Sequence, residues 1–434
     1  MTKKANTLIV SIFIVVFAII LAVILKLTLH TRNDAPLLDD KDNHTIVVND
    51  SNSTFDYKII HRVNEKHSSN YMISPVSIGY ALSMLKDGAR ENTKDQLDEV
   101  LEDYSLPRIS NVKDRISLAN AIFIKEEHKD DISENYINHL KSTYNSEVLF
   151  DKFRSPKVLN DWTKEKTFGL IPKLVDQIDP NFVLGLVNAI AIDVEWKNKF
   201  ECNDTKPSLF TKKDTSKIEV AMMNTKNTFK YFETNDAKGI IKDYALYNTK
   251  TGEVTNTKNN DTIELEYIAI LPNDYIRDYI NEFDKTDLEE IYKSVQSDEN
   301  TDYYLNLPKY TYEFNYNDFM EALIDLGITD VFNAGKADLS GMTKEDHPLD
   351  LYVGQAIHKS KIELSENGTK AAAVTAMMVF KNSIELENDR KKVEITFNSP
   401  FLYIIKEKNS DNIWFFGTVY EPMTWKEHKA CEAK

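Results

Sequence analysis

Cysteine is nearly absent: Cys202 and Cys431 are the only two in 434 residues, which is too few for a disulfide framework. One bridge is all they allow, and the polar setting of Cys431 favours two free thiols. No cysteine–histidine spacing resembles a zinc site. Glycine and proline number 12 each, which leaves little room for a disordered majority. Basic residues are outnumbered, 53 against 69, giving a formal charge of −16. Such a surface repels phosphate backbones, so nucleic acid is not an expected partner. Nucleophile-elbow, HExxH, phosphate-loop and dinucleotide motifs are all missing. Ser340 lacks the flanking glycines of an elbow, and the nine histidines are scattered. His358 reads as a hydrogen-bonded core histidine rather than a base. No catalytic residue, cofactor or metal is expected, and the chain does not read as an enzyme.

What is present begins with an uncharged apolar run at residues 8–25, preceded by Lys3 and Lys4 and followed by Lys26. Its length suffices to cross a bilayer, and the leading lysines favour an inside N-terminus. A cleaved signal peptide is the alternative. No small-x-small site follows the run, so an uncleaved anchor over residues 1–30 is favoured, with the remainder outside. Residues 31–54 are polar, lack a hydrophobic period and read as a tether. Three glycan-acceptor patterns fall there, at Asn43, Asn49 and Asn52.

A globular pattern occupies residues 55–422, with a polar tail at 423–434. Phe55, Ile59, Ile60 and Val63 have helical spacing. Ser74-Pro75-Val76-Ser77 opens a second helix that stops at Asp87-Gly88. Residues 117–124 and 182–194 read as buried strands, and 160–174 as a helix with Trp162 on its apolar side. Strands follow at 265–271 and 303–307, and a helix at 317–326. Residues 401–405 and 414–419 form a buried hairpin. Residues 248–262 read as an unstructured insertion in a surface hairpin. Mixed order without regular alternation indicates an α+β fold.

One stretch stands apart. Residues 366–380 open at Gly368, continue through small residues and end in larger apolar ones. Read blandly, Thr369 caps a short helix. Read with a period of two, Thr369, Ala371, Ala373, Thr375, Met377 and Val379 share one face that carries no charge and no proline. Such a segment can wait as a loop and later enter a sheet.

Taken in order, these segments resemble the serpin family. The likeness rests on Ile73-Ser74-Pro75-Val76-Ser77-Ile78, Asn160-Asp161-Trp162 with Thr167-Phe168-Gly169, and Leu186-Val187-Asn188-Ala189 with Trp196. It continues through Val220-Ala221-Met222-Met223, Leu305-Asn306-Leu307-Pro308-Lys309, Ala337-Asp338-Leu339-Ser340-Gly341 and His358-Lys359. It closes on Glu366 to Ala373, Ser399-Pro400-Phe401 and Phe416-Gly417-Thr418-Val419.

The resemblance implies three β-sheets, eight or nine helices and an exposed reactive loop that baits a protease. After attack the cut loop enters the main sheet as a new strand and the acyl-enzyme is trapped. The expected partner is an extracellular serine or cysteine protease, held by a membrane-anchored monomer of prokaryotic type. A non-inhibitory, chaperone-like surface binder of the same fold is the alternative. The hinge falls on Glu366, Gly368, Thr369, Ala371, Ala372 and Ala373. Family spacing puts the attacked bond at Asn382-Ser383; a one-residue shift gives Lys381-Asn382, which suits a trypsin-like pocket, and Arg390 is a remoter candidate. Ser74, Ser77, Asn188 and His358 match the shutter beneath the sheet opening, and Trp196 the breach at its top. Residues 101–117 are too short for the helix that binds glycosaminoglycan activators in some members. Lys370 stands where many inhibitory members carry an acid, on the outward face.

Overall fold

A computed structural model describes residues 54–429, apart from 103, 108, 179–181, 317, 347–348, 355 and 370–389. Eight α-helices lie among the described residues: α1 Thr54–Lys66, α2 Pro75–Gly88, α3 Glu91–Val100, α4 Glu134–Tyr144, α5 Lys157–Lys166, α6 Ile276–Glu282, α7 Lys285–Lys293 and α8 Phe319–Asp325. Their ends follow local chemistry. The Ser74 side chain accepts the Ser77 N–H at 3.2 Å ahead of Pro75, satisfying a donor that the first turn leaves free. Asp284 and Asp287 form a reciprocal capping box on α7. Helix α5 is shorter than the periodicity suggests. Phe168 and Gly169 both take positive φ (52° and 77°) and turn the chain out of the helix, the Gly169 N–H closing on the Lys164 carbonyl.

A seven-stranded sheet holds the core, ordered Tyr71–Ile73, Ile413–Val419, Phe401–Glu407, Leu265–Pro272, Ala237–Asp243, Lys230–Glu233, Val295–Gln296. The expected terminal hairpin is there, with Phe401 opposite Val419. Both of its strands are buried almost throughout, which is why they read as continuous apolar runs rather than alternations. A four-stranded sheet orders Lys391–Thr396, Thr301–Pro308, Lys217–Lys226 and Lys206–Thr211, the first pair parallel. Residues 248–262 are not structureless. Tyr247–Asn248 pairs with Thr262–Ile263, and turns bonded through Asn248 and Asn259 fill the space between. No helix occurs between Leu101 and Ile116 among the described residues.

The remaining layer carries the site, and its strands are numbered separately: β1 Ile116–Lys125, β2 Glu147–Asp151, β3 Leu184–Ile192, β4 Val194–Glu195, β5 Tyr310–Tyr316, β6 His358–Ser365 and β7 Gly368–Thr369. It divides into two ladders, β2–β1–β3 and β5–β6–β7–β4. They meet where β3 runs into β4 across Asp193.

Candidate functional site: a slotted sheet and its hinge

Strand β3 pairs with β1 along nine residues, Leu184 to Ile192, and has no ladder partner on its other edge among the described residues. Strand β6 is likewise paired with β5 from His358 to Leu364, but its second edge is taken only at Leu364 and Ser365, by Thr369 and Gly368. Two half-empty edges therefore flank one slot. Its upper part is lined by Ile190, Ile192, Ile362, Thr369, Ile405 and Phe415 and encloses about 10 Å3, about one water. The upper slot has little free room. Anything entering must part the strands.

At its top, β7 sits as a two-residue wedge, bonded to β6 on one side and to Glu195 and Val194 of β4 on the other. Gly368 is required there. Its φ is +154°, and a Cβ would lie 2.0 Å from the Val194 carbonyl oxygen and 2.7 Å from the Glu195 Cα, both backbone atoms that cannot give way. Thr369 is buried, and its hydroxyl shares a hydrogen bond with Tyr244. The extended reading of Gly368 and Thr369 thus holds, and Thr369 is not a helix cap. Ala371, Ala372, Ala373, Lys381, Asn382 and Ser383 lie outside the described residues. Arg390 is described, and it is not presented as bait. Its guanidinium bonds the carbonyls of Glu299 and Thr301 and lies 3.2 Å from Asp302.

Glu366 is the anchor of the wedge. It is 1 % exposed, its carboxylate receives the Lys309 ammonium at 2.8 Å and the Thr205 hydroxyl at 2.7 Å, and its carbonyl accepts the Phe200 N–H at 3.0 Å. A buried carboxylate needs this satisfaction. Trp196 adds two more ties, its backbone N–H to the Asn367 carbonyl (2.9 Å) and its indole N–H to the Ser365 carbonyl (3.0 Å). The Trp196 ring is stacked on Tyr244, centroids 4.4 Å apart and planes 7° from parallel. The structure therefore brings Trp196, Glu366, Gly368 and Thr369 together. Lys309, Thr205 and Tyr244 were not assigned a role from sequence. Lys309 alone left a signal, as the cation closing the Leu305–Lys309 motif.

Further down, Ser77 and His358 border one apolar cavity of about 50 Å3 with Leu82, Leu186, Phe319 and Ile357. The expectation that His358 is hydrogen-bonded is corrected at one atom. Its Nε2 has no partner among the described residues, and burial lowers its pKa to about 4. Ser74 is buried and spent on capping α2. Asn188 contributes a backbone pairing with Asn120; its side chain lies outside the described set. The expectation of free thiols is corrected for Cys202, which is disulfide-bonded, while Cys431 lies outside the described residues. Among the described residues no His, Cys, Asp and Glu group could hold a metal ion.

A family model, serpin (serine protease inhibitor), matches residues 50–422. The chain belongs to the serpin family. It is 29% identical over 401 residues to a leukocyte elastase inhibitor of Xenopus tropicalis, covering 85% of this chain and 97% of the relative. It is 30% identical to the alpha-1-antiproteinase of Bos taurus, covering 87% and 88%. Among solved structures, the native state of the thermophilic serpin tengpin superposes with a TM-score of 0.70 at 28% identity, covering 86% of this chain and 94% of tengpin. The α+β class read from the residues and the serpin fold implied by the resemblance are what is observed.

Proposed function

We propose that this chain is an irreversible suicide-substrate inhibitor of an extracellular serine or cysteine protease. The protease would cut within residues 370–389, at Asn382-Ser383 or Lys381-Asn382, and be held as an acyl-enzyme while residues 369–379 enter the slot. The observation that carries this reading is the pair of half-unpaired edges on β3 and β6, with Gly368 and Thr369 already seated between β6 and β4, the strand that β3 runs into. Serpin loop insertion is a stock example of strand addition and of released strain. Each new backbone hydrogen bond contributes about 0.5–1.5 kcal/mol net, which together with burial of Met377 and Val379 has to offset the ordering of the severed segment.

No helix among the described residues is long and apolar enough to cross a membrane. The run at residues 8–25 lies outside them and remains the basis for proposing an N-terminal anchor. Incubation with trypsin, and with a panel of serine proteases, tests the function. A complex that survives denaturing electrophoresis is the expected product. Cleavage with no such complex would favour the binding or chaperone-like reading.

A further inference from the structure

Lys242 is the penultimate residue of the core-sheet strand Ala237–Asp243, and it is fully buried. Its ammonium makes two long hydrogen bonds, to the carbonyl and hydroxyl of Thr228 at 3.3 and 3.2 Å. Otherwise it lies over aromatic faces, 4.7 Å from the Phe200 ring centroid and 5.6 Å from that of Trp196. The carboxylates of Asp243, Glu266, Glu195 and Glu366 are each held by another cation. Asp243 is paired with Lys408 at 3.1 Å, Glu266 with Lys406 at 2.9 Å, Glu195 with Lys199 at 2.8 Å and Glu366 with Lys309 at 2.8 Å. Lys242 therefore has no ion-pair partner among the described residues.

The two rings it touches belong to the residues that hold the hinge. The Phe200 N–H bonds the Glu366 carbonyl and the Trp196 N–H bonds the Asn367 carbonyl. Displacing the Glu366–Asn367 turn breaks both bonds. We propose that Lys242 is a positioning residue for the hinge, a buried amine whose hydration on opening makes release of Glu366 and Asn367 proton-dependent. This rests on the loop-insertion reading for its use, though not for its measurement.

Burial, opposed weakly by Asp243, lowers the Lys242 pKa to about 7 in the closed state, whereas a hydrated lysine titrates near about 10.4. The open state therefore binds more protons between these values. Opening is easiest below pH 7 and becomes harder as pH rises, by at most about tenfold per pH unit for one proton.

Amide hydrogen exchange of Trp196 and Phe200 in the full chain, from pH 6 to 10 and corrected for intrinsic exchange, reads this opening directly. Protection is expected to be flat below pH 7 and then to climb by up to about tenfold per unit. Lys242→Met should give high protection without the climb, and Lys242→Arg, charged throughout, low protection without it. A flat wild-type profile, or a climb that survives in either variant, overturns the proposal. Because wild type and Lys242→Arg suffice, a Met variant that fails to fold leaves the test decisive. If the climb is found but loop cleavage does not stabilise the protein, Lys242 keeps its role and the insertion reading fails.

Discussion

The Lys309 ammonium lies 2.8 Å from the Glu366 carboxylate, with the two side chains only 9% and 2% exposed. This buried pair joins the residue after the Thr301–Pro308 strand to the first residue of the turn between β6 and β7, and so ties down the top of the slot. Removing one partner strands the other charge, which typically costs about 3–5 kcal/mol. Lys309→Met should lower the urea midpoint of the intact protein by a corresponding amount. A double variant, Lys309→Met with Glu366→Gln, should recover part of that loss.

Gly368→Ala places a methyl group 2.0 Å from the Val194 carbonyl. The two-residue wedge must then leave the sheet or push β4 away, a strain of about 1–3 kcal/mol. Faster amide exchange at Trp196 and Phe200 is the expected result, since their acceptors, Asn367 and Glu366, immediately precede the displaced glycine.

Thr369→Arg puts a long cation where a 3%-exposed hydroxyl now meets Tyr244. The charge cannot be hydrated inside the slot. Covalent trapping of trypsin-like proteases should be lost while cleavage of the loop continues. Intact trapping would show that the first hinge residue does not enter the sheet.

Two buried groups set an opposing pH dependence. Asp56, one of whose oxygens has no partner among the described residues, has its pKa raised by burial to about 7. Its contribution is fully present below the unfolded value of about 3.9 and is lost as pH rises through 7, on the order of 4 kcal/mol in all. His358 acts in the other sense. With a folded pKa of about 4, its contribution is present above about 6.5 and lost as pH falls from there to 4. Asp56→Asn should flatten the decline in urea midpoint between pH 5 and 8. The substitution His358→Phe should flatten the loss on acidification.

Much of this architecture was written in local pattern. The Ser74-Pro75 start of α2, the terminal hairpin and the buried run of β3 each follow from capping chemistry or strand period. Gly368 stood out as a permissive glycine ahead of a run of small residues, and the structure gives a reason for it, since a Cβ would meet the Val194 carbonyl. What could not be read was pairing at a distance. Lys309 and Thr205 lie 57 and 161 residues from Glu366 in the chain, and nothing local in either names a partner. Lys242 was hidden for another reason: in a strand that also carries Lys238 and Asp243, it reads as one more solvated charge, and only the packing of Trp196 and Phe200 shows it buried. Helix α5 was overextended because the apolar positions beyond Phe168 keep helical spacing after the backbone has turned away.

Trapping requires a sheet that gains a strand when its loop is cut. Thermal unfolding of the protein nicked once within residues 370–389, beside the intact form, tests this most directly. A markedly higher unfolding temperature is expected for the nicked molecule, as the severed segment pairs with β3 and β6. An unchanged or lower temperature would contradict it.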